Sequence, residues 1–150
     1  MKRKDNPAKT FLRQYIGLMA RVDALTRAID QAMDRAFMIN VTLKEIKVIS
    51  SPKEHDPMAA DVCTAVDATE ILREEKAKAE SALRDILRAI DSVNDEREKA
   101  VLTFRYINGA AFSEIAEKLH FSEPAIFVSH GRALVKINRW LELENRGESA

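Results

Sequence analysis

Residues 96–142 read EREKAVLTFRYINGAAFSEIAEKLHFSEPAIFVSHGRALVKINRWLE. Two short breaks divide this stretch, Asn108-Gly109 and His120-Phe121, and glycine tolerates the positive φ that commonly ends a helix. The segments between the breaks have the apolar spacing of helices. A short helix, a tight turn and a longer helix together form the layout of a helix-turn-helix. The stretch therefore predicts a compact module of three helices over residues 94–143.

Capping residues mark where each of these helices begins. Asn94 or Asp95 is a candidate N-cap of the first helix, Ser113 of the second and Ser122 of the third, because their side-chain oxygens accept bonds from free backbone N–H groups. The third helix is predicted over Ser122 to Leu141, with residues 144–150 as a flexible tail. Gly131 inside it should cost about 1 kcal/mol relative to alanine. Close packing is the favoured explanation for it, and approach of a DNA backbone is the other.

Two long helical stripes occupy residues 1–93. Each has apolar or small residues at steps of three and four, the period of helices that pack in coiled-coil style. The first stripe consists of Phe11, Tyr15, Leu18, Val22, Leu25, Ile29, Ala32 and Ala36. The second consists of Val62, Ala65, Thr69, Leu72, Lys76, Ala79, Leu83, Ile86, Ile90 and Val93. The stripes predict an antiparallel helical hairpin or, equally open, pairing between two chains.

Residues 40–58 interrupt the helical pattern. Ser50-Ser51-Pro52 and Asp56-Pro57 are typical of loops, since proline lacks a backbone donor and restricts the preceding residue. Ile46, Val48 and Ile49 are compatible with a short extended segment. The overall expectation is an all-α chain, with a long N-terminal helical hairpin followed by the three-helix module.

Composition argues against several classes of protein. The single cysteine, Cys63, precludes an intramolecular disulfide. The three histidines have no acidic partner at ligand spacing, there is no glycine-rich phosphate loop, and no apolar run approaches the roughly 18–20 residues of a membrane span. We therefore expect no enzyme, no cofactor, no metal site and no membrane partner. We also expect no export, because no apolar run follows the basic N-terminus.

The residues that carry a family resemblance are Arg105-Tyr106, Ser113-Glu-Ile-Ala-Glu117, Phe121-Ser122 and His130-Gly-Arg-Ala-Leu134. With them, residues 96–142 resemble region 4 of sigma-70-type factors. They are similar also to the C-terminal part of small phage-encoded transcriptional regulators of the late-gene and autolysin-regulator type. The resemblance implies a sequence-specific DNA-binding regulator of phage or prophage origin, acting in the cytoplasm of a bacterial host. Double-stranded DNA is the implied partner, with RNA polymerase or a sigma factor as further candidates.

Within such a module the start of the third helix enters the major groove. Candidate phosphate contacts are Arg132, Lys136, Arg139, Lys118 and Arg105. Candidate base-proximal residues are Ser122, Glu123, Ala125 and Ser129. Residues 96–141 hold seven basic and five acidic side chains, a net charge of +2, so the module is only slightly basic.

The third helix departs from the family pattern where bases should be read. Phe127 and Val128 occupy positions that the family fills with polar residues, and a large apolar residue exposed there indicates a protein contact or a packing site. The alternative function is therefore a protein-interaction module that binds RNA polymerase, a sigma factor or another regulator without reading DNA. In either case the helical hairpin is expected to set a homo-oligomer or to contact polymerase.

Overall fold

The computed structural model describes residues 5–49 and 57–147, and all of their regular structure is helical. The elements are α1 (Pro7–Ile49), α2 (Pro57–Asp91), α3 (Glu96–Leu102), a π-helical turn (Thr103–Ile107), α4 (Phe112–Leu119) and α5 (Glu123–Gly147). The expectation of an all-α chain with a long N-terminal helix is confirmed.

Both predicted stripes are the less exposed faces of their helices. In α1 every stripe residue from Phe11 to Ala36 is buried or half-buried, and so is every stripe residue of α2 from Thr69 to Ile90. Val93, the last stripe residue, is fully buried just after α2 ends. The helical period of the sequence therefore identified the inward faces correctly over the described side chains.

The expected extended segment at Ile46, Val48 and Ile49 is wrong, because α1 continues as a helix to Ile49. Local β propensity is a weak preference that an established helix overrides. Pro57 opens α2, where the missing N–H of a proline costs nothing. The predicted loop residues 50–56 lie outside the described residues.

The chain divides into two compact units, and the second of them is Ala20–Glu80. Within it, the α1 and α2 segments run antiparallel. The guanidinium of Arg21 lies 3.1 Å from the carboxylate of Glu75, and Arg73 donates to the sulfur of Met33 at 3.3 Å. The later residue of α1 thus contacts the earlier residue of α2, as in two antiparallel helices of a helical hairpin.

The first unit joins residues up to Met19 with those from Ser81 onward. Its main core contains one face of each of α1, α2, α3 and α5. The buried members include Leu12, Ile86, Val93, Leu102 and Ile137. Asn138 Oδ1 accepts a bond from Ala8 N at 2.9 Å, and the ring of Trp140 lies 6.0 Å from that of Phe11. The start of α1 is thus packed directly against α5.

The three C-terminal helices surround a second, smaller core. Val101, Ala110, Ile115, Ala116 and Ile126 are buried in it. Small Ala116 permits the close approach of α4 and α5. This cluster sets the angle between the two helices, which fixes the side of α5 that faces solvent.

The ends of α3 follow the sequence in part. Asp95 is its N-cap, since its carboxylate accepts from Glu98 N at 3.0 Å, and this bond lowers the pKa of Asp95. After Leu102 the helix widens into a π-helical turn, in which Asn108 N donates to Thr103 O. Gly109 then adopts φ 71°, as expected for the residue that ends this helix.

Two expected boundaries of the later helices differ from the structure. Ser113 does not cap α4, because the helix already begins at Phe112 after Ala111, which provides no side-chain bond. Helix α5 continues past Leu141 to Gly147, so residues 144–147 are helical and not the expected flexible tail.

Candidate nucleic-acid interface

A tight turn joins α4 to α5. His120 adopts a left-handed conformation with φ 58°, and Phe121 N donates to Ala116 O at 3.0 Å. These two features form a Schellman motif, which ends a helix by satisfying its last carbonyls. Ser122 then caps α5 as predicted, because Ala125 N donates to its Oγ at 3.4 Å. The turn requires only three residues and holds the start of α5 in place.

One side of α5 is exposed along its length, and it consists of Val128, Arg132, Val135 and Arg139, hereafter the outer face. These residues recur at steps of four and three, so they lie above one another on one stripe. The opposite stripe is buried and contains Ile126, Ala133, Leu134 and Ile137. The described part of the chain therefore leaves the outer face accessible to a partner.

The three predicted phosphate-binding cations of α5 differ in their surroundings. Arg132 and Arg139 are exposed on the outer face. Lys136 flanks that face and forms an ion pair with Glu98 at 2.5 Å. The Glu98 side chain is only 7% exposed, whereas that of Lys136 is 46% exposed. Lys136 consequently neutralises a buried carboxylate, and less of its charge is available to a partner.

Two further cations of this region lie over aromatic rings. Lys118 is exposed on α4, and its Nζ lies 5.4 Å from the centre of the Phe104 ring. Arg97 covers the Phe121 ring at 3.9 Å. Cation–π contacts at exposed sites contribute about 0.5–1 kcal/mol each. Both cations therefore stabilise the packing of the helices, and their charges remain near the surface.

Arg105, the fifth predicted phosphate contact, is turned away from the outer face. Its side chain is half-buried, donates to Ala110 O at 3.0 Å and lies 4.4 Å from the centre of the Phe112 ring. It lines a cavity beside His130 instead. Arg105 belongs to the π-helical turn, an element that is frequently found at functional sites.

The four predicted base-proximal residues do not share one environment. Ser122 and Glu123 are exposed, and Ala125 is half-buried. Ser129 is only 5% exposed, so the expectation that it lies near bases is wrong. It occupies the same side of α5 as buried Ile126, three residues earlier. That i, i+3 spacing in the sequence was the signal that should have assigned Ser129 to the core.

Phe127 and Val128 both remain exposed, at 51% and 54%. Phe127 lies toward α4, with its ring centre 4.7 Å from that of Phe112. Val128 is part of the outer face. Val135, which the sequence analysis did not single out, is the most exposed of the three apolar residues at 69%. Its position seven residues after Val128 would have identified it.

Gly131 also lies on the exposed side of α5. A Cβ built on it meets no heavy atom of the described residues within 4 Å. The favoured explanation of close helix packing is therefore wrong for the described part of the chain.

Tyr106 of the π-helical turn and His130 of α5 form a buried pair. The Tyr106 hydroxyl and His130 Nε2 share a hydrogen bond of 2.8 Å, and both residues are 6% exposed. Burial, together with the nearby charges of Lys9, Arg105 and Arg13, lowers the pKa of His130 to about 4. Burial also raises the pKa of Tyr106. The histidine is therefore neutral and the phenol protonated near neutral pH.

Among the described residues, no three His, Cys, Asp or Glu side chains cluster as metal ligands would. No helix in residues 5–49 or 57–147 is both long enough and apolar enough to cross a bilayer.

No protein-family model matches the chain, and no curated protein or solved structure is significantly similar to it.

Proposed function

We propose that this chain is a DNA-binding transcription regulator of phage or prophage origin that acts in the cytoplasm of a bacterial host. In this proposal α4, the tight turn and α5 form a helix-turn-helix, and the exposed side of α5 enters the major groove of duplex DNA. The phage origin rests on the family resemblance of residues 96–142 alone.

The single observation that carries the proposal is the outer face of α5. Arg132 and Arg139 are exposed on the same stripe of α5 as Val128. Helix α5 itself directly follows a short helix and a tight turn. Arginines on such a stripe are suited to phosphate oxygens, and Val128 is suited to a thymine methyl group. Ser122, Glu123 and Ala125, at the start of the helix, are the remaining base-proximal candidates.

The electrostatics of the outer face also favour an anionic partner. Its two charged members are both cations, and Lys136 beside it balances the buried carboxylate of Glu98. The negative charge of Glu98 is thereby neutralised on the core side of α5. Glu123 at the start of α5 would repel a phosphate group. Its negative charge instead interacts favourably with the helix dipole at this N-terminus and so stabilises α5.

A titration of fluorescent duplex fragments from the genome that encodes this chain tests the proposal. Binding should weaken steeply as salt rises, by about 40-fold between 50 and 200 mM for three phosphate contacts. Arg132→Ala should weaken binding to all fragments to a similar degree, and Arg84→Ala, an exposed arginine on α2, is the matched control. Absence of salt-sensitive binding to any fragment would exclude the DNA function.

A protein-interaction module is the second candidate, and the exposure of Val128 and Val135 favours it. Two apolar side chains on one stripe can bind a hydrophobic groove of RNA polymerase, a sigma factor or another regulator. The N-terminal hairpin would then set a homo-oligomer or contact the same partner.

Polar substitution of the stripe distinguishes the two candidates. Val135→Ser removes an apolar contact and leaves both arginines in place. A protein module should lose binding to purified polymerase holoenzyme in this variant and show no salt-sensitive DNA binding. A DNA-binding regulator should instead depend more on Arg132 than on Val135.

A further inference from the structure

A cavity of about 250 Å³ lies in the first unit, on the side of the Tyr106–His130 pair that faces α1. Besides that pair, its lining includes Lys9, Arg13 and Ile16 from α1, and Arg105 and Phe112 from the C-terminal helices. The volume is just below the roughly 300–1,000 Å³ of typical ligand pockets. It is therefore suited to a ligand of few atoms.

Three cations converge on this cavity without an acidic counterpart among the described lining residues. Lys9 and Arg13 are one turn apart on α1, and Arg105 reaches the cavity from the π-helical turn. Their positive potential is felt at His130, because all three cations lower its pKa. Like charges held together around a concave site cost free energy that a bound anion would recover.

Arg105 and the Tyr106–His130 pair are held in place before any ligand arrives. Arg105 is oriented by its bond to Ala110 O and by the ring of Phe112. That bond uses one of the five N–H donors of a guanidinium. Tyr106 is fixed by its bond to His130. Preorganised donors reduce the entropy that binding would otherwise cost.

Arg105 and Tyr106 are consecutive residues of the π-helical turn, and both line this cavity. Such turns are rare within helices and are frequently found at functional sites. Ile16 and the Phe112 ring form an apolar wall beside the charged groups, with the Arg105 guanidinium 4.4 Å from the centre of the Phe112 ring. The cavity thus combines three cations with a small apolar surface.

We propose that this cavity binds a small free phosphomonoester, with the phosphoryl group held by Lys9, Arg13 and Arg105 and its organic part against Ile16 and Phe112. Three cations match a phosphoryl dianion better than a singly charged carboxylate. The guanidinium groups can bind phosphate oxygens in pairs. The ligand would bridge the start of α1 to the π-helical turn and so act as an effector of the chain.

Titration of the full chain with inorganic phosphate and with phenyl phosphate, at constant ionic strength, tests this proposal. Saturable 1:1 binding should shift the aromatic resonances of Tyr106 and His130, and phenyl phosphate should bind more tightly through the apolar wall. Arg13→Gln should weaken both ligands at least fivefold. Arg13 is exposed, so this variant should remain folded. Binding that is equal in Arg13→Gln and the original chain would overturn the proposal.

The control variant is Arg84→Gln, which removes the same charge from an exposed position on α2. It should leave phosphate affinity unchanged, and an equal loss in both variants would indicate general charge attraction and contradict the site. A DNA backbone is the other source of phosphate. If Arg13→Gln weakens duplex DNA and phenyl phosphate alike, and DNA displaces phenyl phosphate, the free-ligand proposal is wrong. Failure of DNA binding alone leaves the cavity result intact.

Discussion

The hydroxyl of Tyr106 lies 2.8 Å from Nε2 of His130, and both groups are buried between the π-helical turn and α5. The pair connects the helix that carries Arg105 to the helix that carries the outer face. Its neutral histidine is a consequence of burial beside three cations.

The stability of the chain should fall as the pH drops from about 6.5 toward 4. The pKa of His130 is about 4 in the fold, below the ordinary histidine value of 6.5. Between these values the unfolded state binds more protons, so acid favours unfolding. Between pH 7 and pH 5 the free energy of unfolding should fall by about 1–2 kcal/mol because of this histidine. Urea unfolding at a series of pH values measures this.

His130→Gln removes the titrating group and keeps a hydrogen-bonding side chain beside Tyr106. The variant should lose most of the pH dependence between pH 7 and 5. Tyr106→Phe retains the histidine and should keep the dependence. If His130→Gln is as acid-sensitive as the original chain, another group causes the effect.

The ion pair between Lys136 and Glu98 should respond unequally to loss of either member. Lys136→Met leaves a carboxylate that is only 7% exposed without its cation, at a cost of about 1–3 kcal/mol. Glu98→Gln leaves a lysine that water can solvate, and it should cost less. Urea unfolding of both variants and of the double variant checks this, since the double variant should resemble Glu98→Gln.

An equal cost for both substitutions would show that the Glu98 carboxylate is no harder to leave unpaired than the Lys136 ammonium, and would contradict the expected asymmetry. The expected asymmetry also affects the choice of DNA-binding variants. A loss of DNA affinity in Lys136→Ala would combine weakened folding with a lost phosphate contact. Arg132, which is exposed on the outer face, is the cleaner test.

Two residues with positive φ should respond in opposite directions. His120 has φ 58°, a left-handed conformation that strains histidine but that glycine adopts freely. His120→Gly should therefore stabilise the chain by about 0.5–1 kcal/mol. Gly109→Ala, at φ 71°, should destabilise it by about 1 kcal/mol or more. Thermal unfolding measures both. A destabilised His120→Gly would mean that the imidazole makes contacts that outweigh the backbone strain.

Much of the fold was predictable because its signals are local. The caps Asp95 and Ser122, the break at Gly109 and the apolar period of α1 and α2 each depend on residues within one turn. The extent of α1 was not predictable in this way. Its last turns include β-branched Ile46, Val48 and Ile49, whose helical preference is weak, and these residues follow a helix that is already formed.

The candidate sites were less predictable because they depend on the direction of side chains. Arg105 lies in a π-helical turn and lines the cavity instead of the outer face, and no residue type in the sequence indicates such a turn. The cavity needs Lys9 and Arg13 to meet a residue more than ninety positions later in the chain. By contrast, the burial of Ser129 follows from its spacing to Ile126 and was available from the sequence.

Gly131→Ala should raise stability and weaken DNA binding at the same time. An added Cβ meets no described atom within 4 Å, so the folded state tolerates it, and alanine in a helix gains about 0.5–1 kcal/mol over glycine. If α5 lies in a groove, the same Cβ approaches the DNA, and affinity should fall about threefold or more. Gly17→Ala, in equally open space on α1, should stabilise the chain without this loss. Thermal unfolding and fluorescence anisotropy measure the two effects. Unchanged affinity in Gly131→Ala would place the DNA away from this part of α5.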